Sequence, residues 1–370
     1  MKVLMVVTYL NVGGTETHVL SLARSLKKMG HTVGIASKGG PFEEKFKASG
    51  ICVHRIPKYA NIRGMTRTIL NIIKVQGYQL IHAHDEESFY VVGMGQRLTR
   101  VPCVITVHGR YHSIPSLRRA AVSAKRIITV SPSVYRWVHH IGIKQKKLEV
   151  LANGIDTALF APFENPKHRS LSKRTNRFVV AYVGRFEGQK ANVAKKVIAA
   201  SRLLAYDHPT FQVILHGVGP ARPQLIRKAN QANQRLGRQC IRFVPTKQLV
   251  QTTYHTADLV IGSGRVAMEA MASGKPVIGM GNAGYVGIID RNNIHTAVDG
   301  NFGDHSAPFS STPKLLARDI KRLLKSPPGY IGKLGTLSRR VVINRFSARK
   351  VGCSIEHIYA NVIHSKQSYF

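Results

Sequence analysis

The chain has 370 residues, with 55 Lys and Arg against 18 Asp and Glu, a formal net charge of +37 and a pI near 10.6. With 44% apolar residues it has enough material for packed cores, which excludes a disordered tail, a collagen-like fibre and a disulfide scaffold. The length suits about two domains, and the charge leaves open both an enzyme at an anionic surface and a nucleic-acid binder.

The opening MKVLMVVTYL reads as a buried first strand rather than a signal peptide, because the apolar run is short and Gly13-Gly14 follow it. No stretch reaches the ~18 uninterrupted apolar residues of a membrane span. Cys52, Cys103, Cys240 and Cys353 are far apart and form no CxxC pair, so a cytoplasmic, reduced protein without a zinc site is expected.

Strands are expected at 3–9, 32–38, 52–57, 80–84, 103–109 and 126–131, with helices at 17–30, 41–50 and about 64–76. This alternation predicts an α/β fold with a parallel sheet and crossover helices. The rhythm breaks at 161–176, a Pro-containing basic stretch read as a linker. It restarts with strands at 178–184, 212–219, 241–245, 257–262 and 276–281, and helices at about 190–205, 222–236 and 265–273. Near the end, Val351, Ile355, Ile358, Tyr359 and Val362 share one helical face that must dock on something. The expected domains are 1–165, 166–345 and a C-terminal helix at 346–370 that caps its own domain or crosses back to the first. The basic excess is spread over both halves: 23 Lys and Arg against 9 acids in 1–165, and 32 against 9 in 166–370.

Ligand sites in such sheets lie beyond the strand C-termini, so the loops there carry the chemistry. Gly13 and Gly14 follow the first strand and open a helix, with Glu16 and His18 close behind, where backbone amides can approach an anion or a sugar. A tight turn alone would also explain the two glycines. His108 ends a strand and can offer a hydrogen bond or a proton near neutral pH. Arg185 and Lys190, after the first strand of the second half, could cradle a diphosphate; a solvated basic loop competes with that reading. In GSGRVAMEAMASGKPVI (262–278), Gly264 leads into a helix whose amides suit a phosphate, and the carboxylate of Glu269 suits a diol such as ribose. A buried Glu269 needs a partner.

These elements, in this order, resemble the large retaining glycosyltransferase group of family 4, or group 1, with the GT-B fold. GGTETH (13–18) is similar to the family's GGxE-type acceptor-side loop. VSPSV (130–134) and NGID (153–156) match interdomain landmarks. VGRFEGQK (183–190), HGVGP (216–220) and MEAMASGKPVI (268–278) resemble its VGR…K, G-x-G-P and LEAMAxGxPVI segments. The resemblance implies two Rossmann-like domains facing a cleft, and a nucleotide-sugar donor, best a UDP-sugar, bound mainly by the second. It implies that Arg185 and Lys190 stabilise the departing diphosphate, Glu269 holds the ribose and the Val244–Thr246 backbone contacts the base. Gly13 and Gly14 would lie between acceptor and diphosphate, with Glu16 and His18 on the acceptor side and His108 beside the transferred sugar. Neither metal nor cofactor is implied, because cations and helix N-termini neutralise the leaving group.

The family usually carries a first glutamate eight positions before the second. Here that position is Ile261, which opens the alternatives of a nucleotide-sugar epimerase or a non-catalytic sugar-nucleotide binder. Arg265 stands where an apolar residue is more usual and is expected at the donor phosphate or an acidic sugar. The acceptor is expected to be a glycan or lipid-linked sugar of a bacterial cell envelope. The basic segment 116–130, with Arg118, Arg119, Lys125 and Arg126, suggests peripheral contact with an anionic inner membrane face. A nucleic-acid partner has no supporting motif.

Overall fold

A computed structural model of the chain describes residues 1–95, 99–163 and 177–364. Most of the linker expected at 161–176, and the last residues of the expected C-terminal helix, lie outside the described residues. The chain divides into two compact units: Met1–Gly154 with Ser347–Phe370, and Ile155–Phe346.

The first unit is built on seven strands: β1 (Lys2–Val6), β2 (Thr32–Ser37), β3 (Cys52–Arg55), β4 (Leu80–Ala83), β5 (Cys103–Val107), β6 (Arg126–Thr129) and β7 (Leu148–Val150). They lie in the order β3-β2-β1-β4-β5-β6-β7, and every pairing is parallel. Parallel strands covered on both faces read as unbroken apolar runs, and Val3 to Val6 are fully buried. The crossovers are α1 (Gly14–Lys28), α2 (Glu43–Lys47), α3 (Ile62–Gln76), α4 (Glu86–Gly95), α5 (Ile114–Ser123) and α6 (Pro132–His140). Asn61, Ser113 and Ser131 cap α3, α5 and α6 with their side chains. The expected VSPSV landmark is thus, locally, a helix start.

The second unit holds β8 (Phe178–Val183), β9 (Phe211–His216), β10 (Ile241–Phe243), β11 (Leu259–Gly262), β12 (Val277–Gly281) and β13 (Gly284–Ile288). Their order is β10-β9-β8-β11-β12-β13. The sheet is parallel except for β13, which runs antiparallel to β12 at one edge. Its helices are α7 (Gly188–Ala205), α8 (Arg222–Arg235), α9 (Val250–Thr256), α10 (Gly264–Ala272), α11 (Ile294–Asp299), α12 (Pro313–Leu324) and α13 (Tyr330–Arg345).

One boundary differs from the expected ones, and the last helix takes the second of its two expected placements. The first unit stops at Gly154, not 165, because the stretch from Ile155 onward bonds within the second unit. Ile155 N–H donates to the Phe346 carbonyl at 2.7 Å, and Arg339 donates to the Phe160 carbonyl at 3.3 Å. The last helix, α14 (Ala348–His364), packs in the first unit. Its Val362, Ile355 and Tyr359 join the core formed by Val3, Met5, Val19 and Leu22. Gly352 permits the close approach: a Cβ there would lie 2.2 Å from Ser25 Oγ, which itself donates to the Ala348 carbonyl at 2.9 Å.

Both sheets reverse their strand order once, between β1 and β4 and between β8 and β11. Open α/β sheets bind ligands beyond the strand C-termini at such reversals.

Candidate functional site

At the first reversal, Gly13 is the extended N-cap of α1, and a Cβ on it would meet Glu16 Oε2 at 2.5 Å. The Glu16 carboxylate thus lies over the start of the helix, where anions are favoured. His18, one turn into α1, is buried against His108 just past β5, with ring centroids 5.1 Å apart. His84, just past β4, joins them: its Nδ1 stands 3.3 Å from His108 Nε2. His18, His84 and His108 are the one group of this kind among the described residues, with ring nitrogens all within 4.8 Å of one another.

The network continues behind them. The His82 and His84 rings lie 4.0 Å apart, and His82 bonds Tyr359 of α14 at 2.6 Å and Thr106 at 2.7 Å. Burial holds both His82 and His84 well below the usual imidazole range, so these rings stay neutral. Beside His84, Asp85 ties β1 to the loop after β4. It accepts from Thr8 N–H at 2.5 Å, Thr8 Oγ1 at 2.8 Å and Ser88 N–H at 3.0 Å. Burial nonetheless raises its carboxyl above the ordinary value.

At the second reversal, the carbonyl of Lys190 accepts from the Tyr182 hydroxyl at 2.9 Å, which anchors the start of α7 on β8. Lys190 Nζ lies 3.8 Å from Asp304 Oδ1, and Ser263 Oγ donates to that same oxygen at 3.2 Å. Ser263 is the N-cap of α10, and its Oγ serves Asp304 rather than a helix amide. Gly264 sits at φ +55, and its N–H donates to the Asn301 carbonyl at 2.9 Å. Asn301 and Phe302 both hold positive φ, at 51 and 58. A left-handed conformation costs a non-glycine residue about 1–2 kcal/mol, so this turn is held under strain.

Within α10, Glu269 is buried to 8% exposure and has the partners its burial requires. Arg265 Nε donates to Oε1 at 3.0 Å and the Tyr254 hydroxyl to Oε2 at 3.2 Å. Burial raises the Glu269 carboxyl, while Arg265 and Tyr254 pull it back down. Arg265 stands in the first turn of α10, where it was expected to meet a donor phosphate, and its Nε is engaged by Glu269. One turn of helix brings it back onto Glu269.

The structure groups the expected residues unevenly. Glu16 and His18 lie on α1 directly behind Gly13-Gly14, and His18 meets His108; Lys190 reaches the start of α10 through Asp304, which Ser263 also bonds. Arg185 is 55% exposed and paired with Glu187 at 2.9 Å, apart from Lys190's partner. Val244 has its backbone engaged, with N–H donating to Leu215 at 2.9 Å and its carbonyl accepting from Arg222 at 2.9 Å. Only the exposed Thr246 side of that expected base contact stands open. Sequence reasoning missed His84, Asp85, Tyr254 and Asp304. His84 ends the strand-like LIHAH in the way His108 ends its own strand, and the same argument would have found it. A cavity of about 450 Å³, lined by Pro162, Gly274, Arg339 and Arg340 among others, holds none of the expected site residues. It opens where β12 begins, away from the strand C-termini.

Residues 12–159 match the profile described as Glycosyltransferase Family 4, and residues 163–333 the one described as Glycosyl transferases group 1. The chain belongs to the family 4, group 1 glycosyltransferases. An uncharacterized glycosyltransferase of Methanocaldococcus jannaschii is 27% identical over 312 residues, covering 75% of this chain and 79% of that protein. Among solved structures, a glycosyltransferase from Rickettsia africae superposes with a TM-score of 0.80 at 20% identity, over 98% of each chain. Anabaena HepE in complex with UDP superposes at 0.79 and 19% identity, over 98% of this chain and 100% of that one. At these identities the structures establish the fold, which is GT-B. This glycosyltransferase has no helix long and apolar enough to cross a membrane among its described residues.

Proposed function

We propose that this glycosyltransferase is retaining and moves a sugar from a UDP-sugar to a hydroxyl of a cell-envelope glycan or glycolipid. The observation that carries the reading is the second reversal: Lys190 and the start of α10 converge where a diphosphate gains most from cations and helix amides. The UDP held by the HepE structure supports the choice of nucleotide. In this reading Lys190, with Arg185, takes up the charge of the leaving diphosphate. Glu269 accepts from the ribose hydroxyls with its remaining lone pairs, and His108 acts beside the transferred sugar. The acceptor oxygen bonds to the anomeric carbon as the bond to the phosphate oxygen breaks. The acceptor proton passes to the departing phosphate on the same face, so configuration is kept. No metal or cofactor has a part in this scheme.

The decisive experiment is thermal shift against a panel of nucleotides and nucleotide sugars, followed by transfer assays with anomeric analysis of the product. UDP and at least one UDP-sugar are expected to raise the melting temperature by mass action. An inverted product removes the retaining mechanism. Isomerised donor without any acceptor favours an epimerase, the second reading, which the buried Ile261 in place of a glutamate supports.

Peripheral membrane contact belongs to the same proposal. Helix α5 exposes Arg118 and Arg119 alongside Val122 (81% exposed), with Tyr111 and Lys125 exposed at its two ends. Apolar side chains among cations suit an anionic lipid surface. Co-sedimentation with anionic but not neutral vesicles is expected, weakened in V122D; equal binding to both would remove the electrostatic account.

A further inference from the structure

We propose that Asp304 supplies the donor-sugar carboxylate that position 261 lacks. The inference rests on the transfer reading above and assigns a substrate-positioning residue within it.

The family resemblance places an acid near the donor sugar, eight positions before Glu269. In this chain that position is Ile261, fully buried in β11, and its side chain cannot reach a ligand. Yet the start of α10 does not lack a carboxylate. Asp304 reaches it from a different part of the chain, the turn after α11. Its Oδ1 accepts from Ser263 Oγ at 3.2 Å and lies 3.8 Å from Lys190 Nζ. Its Oδ2 lies 3.3 Å from where a Cβ on Gly264 would be, and has no hydrogen-bond partner among the described residues. One oxygen is therefore fixed by the protein and the other is left for a donor.

The backbone that delivers Asp304 is strained. Asn301 and Phe302 are both left-handed without being glycine, and the Asn301 carbonyl is tied to Gly264 N–H. Strain of this kind persists where the surrounding structure fixes a geometry that function uses.

The chemistry selects the sugar over the phosphates as the partner of Asp304. A diphosphate placed on Lys190 would face the Asp304 carboxylate, and like charges at that range repel. Sugar hydroxyls instead donate to a carboxylate, and the sugar is joined to the phosphate that Lys190 would hold. Asp304 then reads hydroxyls of the donor sugar while Lys190 reads its phosphate. The scarcity of acids adds weight: residues 166–370 contain only 9 of them, and this one stands at the strand reversal.

The test is isothermal titration of the full chain with UDP, UDP-glucose, UDP-galactose and UDP-N-acetylglucosamine, repeated on D304N and D304E. D304N is expected to bind UDP as tightly as wild type or more tightly. Its ratio of UDP-sugar to UDP affinity should fall by about tenfold for the preferred sugar, since hydroxyl recognition loses its acceptor charge. D304E should recover part of that ratio. A ratio unchanged for all three sugars, or a loss of UDP and UDP-sugar binding by the same factor, overturns the proposal and leaves Asp304 a structural partner of Ser263. If D304N does not fold, the ratio in D304E decides: unchanged from wild type, it overturns the assignment. Wild type that binds no UDP removes the transfer reading itself, a different outcome from an unchanged ratio.

Discussion

Glu269 shows how a single buried acid is held in a chain with three times as many bases as acids. Burial favours its neutral form, and Arg265 and Tyr254 oppose that. Its folded value stays above the 4.5 of a free carboxyl, so its contribution to stability is fullest below about pH 4.5. That contribution declines as pH rises through the folded value. Removing Arg265 widens the gap, because only the Tyr254 hydroxyl then offsets the buried charge. R265M is therefore expected to be less stable than wild type by about 3 kcal/mol at neutral pH, the scale of breaking a buried pair. The deficit should shrink as pH falls and Glu269 takes up a proton, which its raised carboxyl does sooner than a free one. Adding E269Q to R265M should restore most of the loss. Urea unfolding at two pH values reads this directly, and a deficit that does not change with pH would refute the account.

At the scale of elements, α14 is the clearest case of a fit made by small residues. Gly352 lets it lie against Ser25 on α1, and its apolar side completes a core begun by β1. G352V should cost about 1–3 kcal/mol by overpacking, with S25G recovering part of it; unchanged thermal unfolding would show that the helix shifts freely. The apolar face of this helix was legible from its spacing, but not its destination, because spacing says that a face is buried and not what buries it. The strands were legible because parallel strands buried on both faces are continuous apolar runs. Helix α4 and strands β7 and β13 were not, being short or lacking a period. The antiparallel edge at β13 turns on Gly284, whose φ of +143 no local pattern announces. At the site, Lys190 and Glu269 stood out by position along the chain. Asp304 and Tyr254 did not, since each meets its partner only through tertiary packing across 41 and 15 residues of sequence. Arg265 was legible as a residue, but its bond to Glu269 was not, because the i,i+4 spacing between them was not weighed.

For the whole molecule, the charge of +37 and the scarcity of acids act together. Four of the 18 acids stand at the two reversals: Glu16 over the start of α1, Asp85 at the first, Asp304 and Glu269 at the second. Cations outnumber acids about three to one, which leaves little internal neutralisation, favours anionic ligands and surfaces and makes binding fall with salt.

The return of α14 to the first unit has a consequence for how the chain is made. A unit that closes at Gly154 could fold as soon as that residue leaves the ribosome; this one waits for the segment from Ser347 onward. At about 5–20 residues per second, the intervening synthesis takes on the order of ten to forty seconds. Throughout that time the patch around Val19 and Leu22 lacks its cover of Ile355, Tyr359 and Val362. The second unit, contiguous from Ile155 to Phe346, emerges whole before the first unit is finished. Synthesis order and completion order are thus reversed, and the nascent first half is the stretch most in need of a chaperone.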